Sequence, residues 1–215
     1  MIPVIYENNE IYIINKPAGL AVQGGQGIVH SIDRDFAEQT GQKVYLVHRL
    51  DKDTSGLMII AKNPASASKW TKLIGSKLVK KEYTALCAGI MPEKTGIIKE
   101  EIIQHGDSKP AVTHYSVEKE WSIGISDNGD DSVIQLSLIR LILETGRMHQ
   151  IRIHLAKNGC PIAGDDQHGN FKLNKILKKA CRIKKLQLAA VRLTLPLEDG
   201  EHTFEVSPDF LRNQE

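Results

Sequence analysis

Six consecutive residues, Gly56-Leu57-Met58-Ile59-Ile60-Ala61, carry no polar side chain. The run falls far short of the roughly 20 apolar residues that span a bilayer. It must therefore be buried inside the protein, and its length and paired isoleucines favour a strand over a helix. Asn63-Pro64 follows almost at once. Asn63 can cap a helix and Pro64 suits its first position, which predicts a helix to about Ile74. Upstream, Val4-Ile5-Tyr6 and Ile11-Tyr12-Ile13-Ile14 flank the turn-like Glu7-Asn8-Asn9-Glu10, a hairpin pattern. Lys16-Pro17-Ala18-Gly19 ends it, because proline cannot continue the ladder and glycine allows a turn. Ser31 to Gln39 reads as a short helix.

Glu82 to Ala88, Ala111 to Val117, Val133 to Leu143 and Leu186 to Leu195 also read as strands. Met148 to Lys157 places Ile151, His154 and Leu155 at helical spacing, and Gly159 can stop the helix. The polar, Gly-containing stretch Asp127 to Asp131 predicts an exposed hairpin tip. Strands outnumber helices, so the expected architecture is an α+β fold with a mixed, mostly antiparallel sheet and flanking helices. The length of 215 residues suits one domain, 1–215.

Hydrophobic residues make up 41% and charged residues 25%, the balance of a soluble globular protein. The cysteines Cys87, Cys160 and Cys181 are odd in number and far apart, with no C-x-x-C spacing. That argues against a disulfide framework or a cysteine-built zinc site and for a reducing, cytoplasmic setting. The N-terminal residues lack a signal-peptide pattern, and no membrane association is expected. The net charge of +2 says little, but its distribution says more. Lys172, Lys175, Lys178, Lys179, Arg182, Lys184 and Lys185 fall in one stretch without an acidic residue. Such a field attracts polyanions. The plainer reading is a solvated lysine-rich helix face. No aromatics interleave, so the run suggests phosphate steering and not base stacking.

The stretch richest in chemistry is Val47-His48-Arg49-Leu50-Asp51-Lys52-Asp53-Thr54-Ser55-Gly56-Leu57. It sets carboxylates, cations and two hydroxyls in a short loop just before the apolar run, and loops on rigid strands are where catalytic groups are commonly held. Asp51 is the candidate nucleophile or base, and Thr54 and Ser55 can cap the loop or bond the carboxylate. His149 and His154 lie five apart, so they do not share a helix face as the H-E-x-x-H pair does, and no metal site is expected. Gly24-Gly25-Gln26-Gly27 matches no phosphate-binding glycine loop, so no nucleotide cofactor is expected.

His48-Arg49-Leu50-Asp51-x-x-Thr54-Ser55-Gly56 resembles the H-R-L-D-x-x-T-S-G signature of the RluA-like RNA pseudouridine synthases. Four further segments resemble that family's motifs in order: Lys16-Pro17-Ala18-Gly19; Lys81-Glu82-Tyr83; Gly146-Arg147-Met148-His149-Gln150-Ile151-Arg152-Ile153-His154; and Gly159-x-Pro161-Ile162-x-Gly164-Asp165. The resemblance implies the pseudouridine synthase catalytic fold and an isomerase that converts a uridine in structured RNA, tRNA or ribosomal RNA, without metal or redox cofactor. It implies that Asp51 attacks the nucleotide, at C6 of the base or C1′ of the ribose. Tyr83 would pack on the uracil and assist loss of the C5 proton, and Arg152 would pair with the catalytic carboxylate. A guanidinium there lowers a carboxyl pKa and keeps a desolvated nucleophile ionised. The target would be flipped out of its stack.

Substrate contacts are expected from Lys16, His48, Arg49, Leu50, Thr54, Ser55, Lys62, Arg147 and Gln150. Arg49 would fill the vacated space or hold the flanking backbone, and Lys16, Arg147 and Lys62 would meet phosphates. No separate S4-type RNA-binding module is expected, and the protein should act as a monomer. His168-Gly169-Asn170 leans toward the tRNA-modifying TruC-like branch, while Ala189 stands where relatives often carry histidine. The competing readings are an RNA-binding protein that kept the fold and lost the chemistry, and a metal-dependent hydrolase.

Overall fold

The computed structural model describes residues 1–104, 106–127 and 130–212. In chain order the elements are β1 (Val4–Glu7), β2 (Ile11–Lys16), α1 (Ile32–Thr40), β3 (Tyr45–Leu46), β4 (Ser55–Ala61), α2 (Pro64–Gly75) and β5 (Lys80–Ala88). They continue with β6 (Thr95–Gln104), β7 (Asp107–Asp127), β8 (Asp130–Leu143), α3 (Gln150–Lys157), α4 (Phe171–Ala180), β9 (Leu188–Leu197), β10 (Gly200–Glu205) and α5 (Asp209–Arg212). This is the expected α+β class. The chain divides into two compact units, 1–82 with 189–215 and 83–188. No helix among the described residues is long and apolar enough to cross a membrane.

In the first unit β2 pairs antiparallel with both β1 and β4, and β9 runs parallel to β4 and antiparallel to β10. The apolar run of β4 is continuous because both of its faces are covered. Leu57, Ile59 and Ala61 pack with Ile11 and Ile13 of β2 and Trp70 of α2. Side chains alternate along a strand, so Tyr12 points the other way, where its ring meets Phe36 of α1 edge-on at 5.2 Å. Each such large apolar side chain is worth about 1.5–3 kcal/mol when fully buried. Asn63 caps α2 as expected, its side chain accepting from the Ser66 N–H at 2.8 Å.

In the second unit β6, β7 and β8 form an antiparallel meander. A bulge between Val117 and Lys119 shifts the β7–β8 register. The pairing runs out to Asp127 opposite Asp130, while the tip expected between them, 128–129, lies outside the described residues. Helix α3 follows β8 and ends before Gly159, whose φ of 74° is left-handed.

Candidate active site

Asp51 is half-buried on the loop that feeds β4. Backbone bonds set the loop's shape. The Asp51 carbonyl accepts the Thr54 N–H at 3.2 Å, closing a turn. Gly56 then enters β4 with φ of +111°, and a Cβ there would lie 2.1 Å from the Ala190 carbonyl of β9. Any other residue would push those two strands apart. Above this point β3 pairs with β4 only at Tyr45 and Leu46. His48 continues that pairing with its side chain, since Nε2 accepts the Ile59 N–H at 3.0 Å. Burial, helped by the nearby Lys81 cation, pushes His48 down to about 3. The imidazole is therefore neutral at pH 7, with its proton on Nδ1.

Lys16 is fully buried. Its ammonium donates to the carbonyls of Pro17, Leu20 and Lys52 at 2.9, 2.8 and 2.8 Å. Those are all three of its protons. The Gly19 N–H also reaches the Lys52 carbonyl, at 2.9 Å. The Lys-Pro-x-Gly segment thereby holds the residue directly after Asp51. Burial pulls Lys16 down to about 8, with Asp53 and then Asp51 pushing back. Replacing Lys16 by methionine strands three carbonyls, so a loss of about 2 kcal/mol or more is expected. Lys16→Arg should not restore it, because a planar fork cannot direct three donors from one nitrogen. Urea unfolding of the two variants checks this; wild-type stability in Lys16→Met would overturn the clamp.

In the second unit Tyr83 is buried on β5, and α3 carries Gln150 and Arg152. The Arg152 guanidinium forks onto Asp165, Nε to Oδ2 at 2.8 Å and Nη2 to Oδ1 at 2.7 Å. Both side chains are almost completely buried. Asp165 Oδ1 also accepts the N–H groups of Gln167 and His168 at 2.9 and 3.0 Å. Burial alone would raise the Asp165 carboxyl; Arg152 and these two N–H groups outweigh it and hold the group below its usual value.

Several expected substrate contacts are corrected by burial. Lys16 cannot reach a phosphate, being enclosed and fully bonded to carbonyls. Gln150 is equally occupied: its Oε1 accepts from the Thr145 hydroxyl and the Arg147 N–H, and its Nε2 donates to the Val112 carbonyl and the Thr113 hydroxyl. Leu50 and Thr54 are buried at 6% and 2% exposure and shape the loop from within. His48 is a strand latch. The Lys62 ammonium sits 2.6 Å from Glu7 and over the Tyr12 ring, so its charge is already matched. Arg49 stays exposed, and Ser55 is half-buried. Arg147 is anchored by Nε to the Pro110 carbonyl at 3.2 Å.

Two features are not readable in the sequence alone: the Asp165 fork and the 2.9 Å bond between the His149 and His168 rings. Only Asp165 leaves a signal, as the last residue of the Pro161-Ile162-x-Gly164-Asp165 motif. Among the described residues no group of three or more His, Cys, Asp or Glu side chains could hold a metal ion.

Comparison with known proteins agrees with these motifs. A family model described as RNA pseudouridylate synthase matches residues 10–157. Ribosomal large subunit pseudouridine synthase C of Rickettsia bellii is 40% identical over 184 residues, 79% of this chain and 58% of that protein. The protein of the same name from Buchnera aphidicola of Schizaphis graminum is 31% identical, over 95% of this chain and 66% of its own. The chain thus spans a little over half the length of the rickettsial relative. The solved structure of human RNA Pseudouridylate Synthase Domain Containing 1 covers all of this chain with a TM-score of 0.78 at 22% identity, a likeness of fold. With four of the five ordered motifs inside the matched span and a relative at 40% identity, the chain belongs to the RNA pseudouridylate synthase family.

Proposed function

We propose that the chain is an RNA pseudouridine synthase, an isomerase that converts a uridine of structured RNA into its C-glycoside, with Asp51 as nucleophile. The observation that carries the reading is the setting of Asp51. It is a half-buried carboxylate just before a strand that is buried from Gly56 to Ala61, on a loop fixed by a turn and by the Lys16 clamp. Attack by Asp51, at C6 or at C1′, lets the N1–C1′ bond break. The uracil turns and C5 bonds to C1′; the Asp51 carboxylate leaves, displaced from C1′ by C5 or eliminated from C6, and C5 loses its proton as N1 gains one. Atoms and electrons balance within the nucleotide, so the reaction consumes no redox equivalent. Covalent catalysis divides one hard step into two.

In this reading Tyr83 packs on the uracil, and Arg152, its guanidinium plane fixed by the Asp165 fork, is the cation proposed to serve the catalytic carboxylate. Arg49 and the terminal nitrogens of Arg147 serve the RNA backbone. The relatives' names make ribosomal RNA the first substrate to test, and the His168-Gly169-Asn170 segment makes tRNA the second. The protein acts as a monomer in the cytoplasm, where its three free cysteines stay reduced.

The test is a map of pseudouridine in total RNA from cells with and without the gene. At least one site should disappear on deletion, return with the wild-type gene, and stay absent with Asp51→Ala. A map that never changes would overturn the synthase reading in favour of an RNA binder without chemistry.

A further inference from the structure

Helix α4 lies outside the motifs used above. Lys172, Lys175, Lys178, Arg182, Lys184 and Lys185 are all exposed on it or just beyond it. None of these six takes part in an ion pair among the described residues. Lys172, Lys175 and Lys178 recur every three positions, so they share one face of a helix about 15 Å long. Leu177, on the other side, is fully buried. Arg182 takes a left-handed φ of 57°, which ends the helix and carries the run on to Lys184 and Lys185.

The helix is also tied to the buried arginine. Asn174 Oδ1 accepts the Gly164 N–H at 3.0 Å, and Asn174 Nδ2 donates to the Asp165 carbonyl at 2.8 Å. Gly164 and Gly169 allow this closeness. A Cβ on Gly164 would lie 2.1 Å from the Lys185 carbonyl, and one on Gly169 would lie 2.3 Å from the Asp165 carbonyl. The same Asp165 holds Arg152 in its bidentate fork. Two side chains therefore connect the basic helix to Arg152.

We propose that α4 docks on the phosphate backbone of the RNA and that Asn174, through Asp165, holds the docked strand in register with Arg152. The inference rests on the reading of the chain as an enzyme of RNA. Unpaired cations at helical spacing release condensed counterions when they meet phosphates, which makes such binding steeply dependent on salt. Asn174 is a positioning residue: it acts on the reaction only through Asp165 and Arg152.

The probe is a short RNA hairpin with a uridine-rich loop, bound and turned over by the full chain. Reversing Lys172, Lys175 and Lys178 to glutamate should weaken binding about tenfold or more and lower the salt slope by about one for each phosphate that is no longer neutralised. Turnover at saturating RNA and the melting temperature should stay close to wild type. Asn174→Leu should do the opposite, keeping affinity and salt slope while turnover at saturating RNA falls about tenfold. If that variant unfolds, Asn174→Ser, which still donates and accepts, takes its place with a smaller loss in the same direction. Unchanged affinity and slope in the triple reversal would overturn the docking surface. Unchanged turnover in the Asn174 variants would overturn the register. Salt-dependent binding through α4 with no product from the wild type would instead mark a failure of the synthase reading.

Discussion

Asp51→Asn should lose turnover by about three orders of magnitude or more, while its unfolding curve should stay close to that of the wild type. An amide is the same size as the carboxylate but forms no covalent adduct with the nucleotide, so the two-step path is closed. Two anchors of the loop do not involve the lost charge. The turn uses the Asp51 main-chain carbonyl, and the clamp uses the Lys52 main-chain carbonyl. Asp53→Asn is the matched control. It removes the stronger of the two carboxylate influences on Lys16 and should keep its activity. Single-turnover conversion of a uridine-containing RNA, followed for both variants, decides the point. Equal losses would mean that the loop carboxylates only support Lys16, and that neither is the nucleophile.

The contrast between Asp51 and Lys16 shows which parts of the site can be read from letters. Asp51 stands out in the letters because the groups proposed to act with it lie within a few residues of it, and its loop does lead into the buried run of β4. Lys16 looks equally functional, and its motif is real, but its charge points inward. Whether a lysine faces RNA or three carbonyls depends on Leu20 and Lys52 folding back over it. No local pattern records that. Gln150 misleads for the same reason, since two of its partners, Val112 and Thr113, lie on β7.

The strands divide in the same way. β4 and β2 are legible because both are buried, while β6 and β10 are not. In β6 the pairs Ile97-Ile98 and Ile102-Ile103 flank a charged centre, and Ile98 and Ile102 alone are buried. β10 is a polar strand that pairs with β9 and buries none of its residues fully. Within β7, only Ala111 to Val117 shows a strand pattern. The rest of its 21 residues is held by pairing to β6 and β8 and not by the character of its own side chains.

Asp165→Ala should be the most destabilising single change in the second unit. It leaves the buried Arg152 guanidinium without its bidentate partner, and breaking a buried pair from one side costs about 3–5 kcal/mol. For a chain of this size that corresponds to a fall in melting temperature on the order of 10 °C. Asp165→Asn should lose less, because its side-chain oxygen still accepts from Gln167 and His168. Combining Asp165→Asn with Arg152→Met should recover part of the loss, since no uncompensated charge then remains buried. The double variant should still be inactive. Acid supplies an independent test. The folded protein holds the Asp165 carboxyl below its unfolded value of about 3.9. The folded state therefore binds fewer protons there than the unfolded state does. The pair's contribution is complete above that value and is lost as pH falls through the folded one. Urea unfolding at neutral pH and near pH 3 should show a steeper acid loss in the wild type than in Asp165→Asn, which has no proton to take up. If both lose stability equally, Asp165 is not the carboxylate whose ionisation holds Arg152 in place.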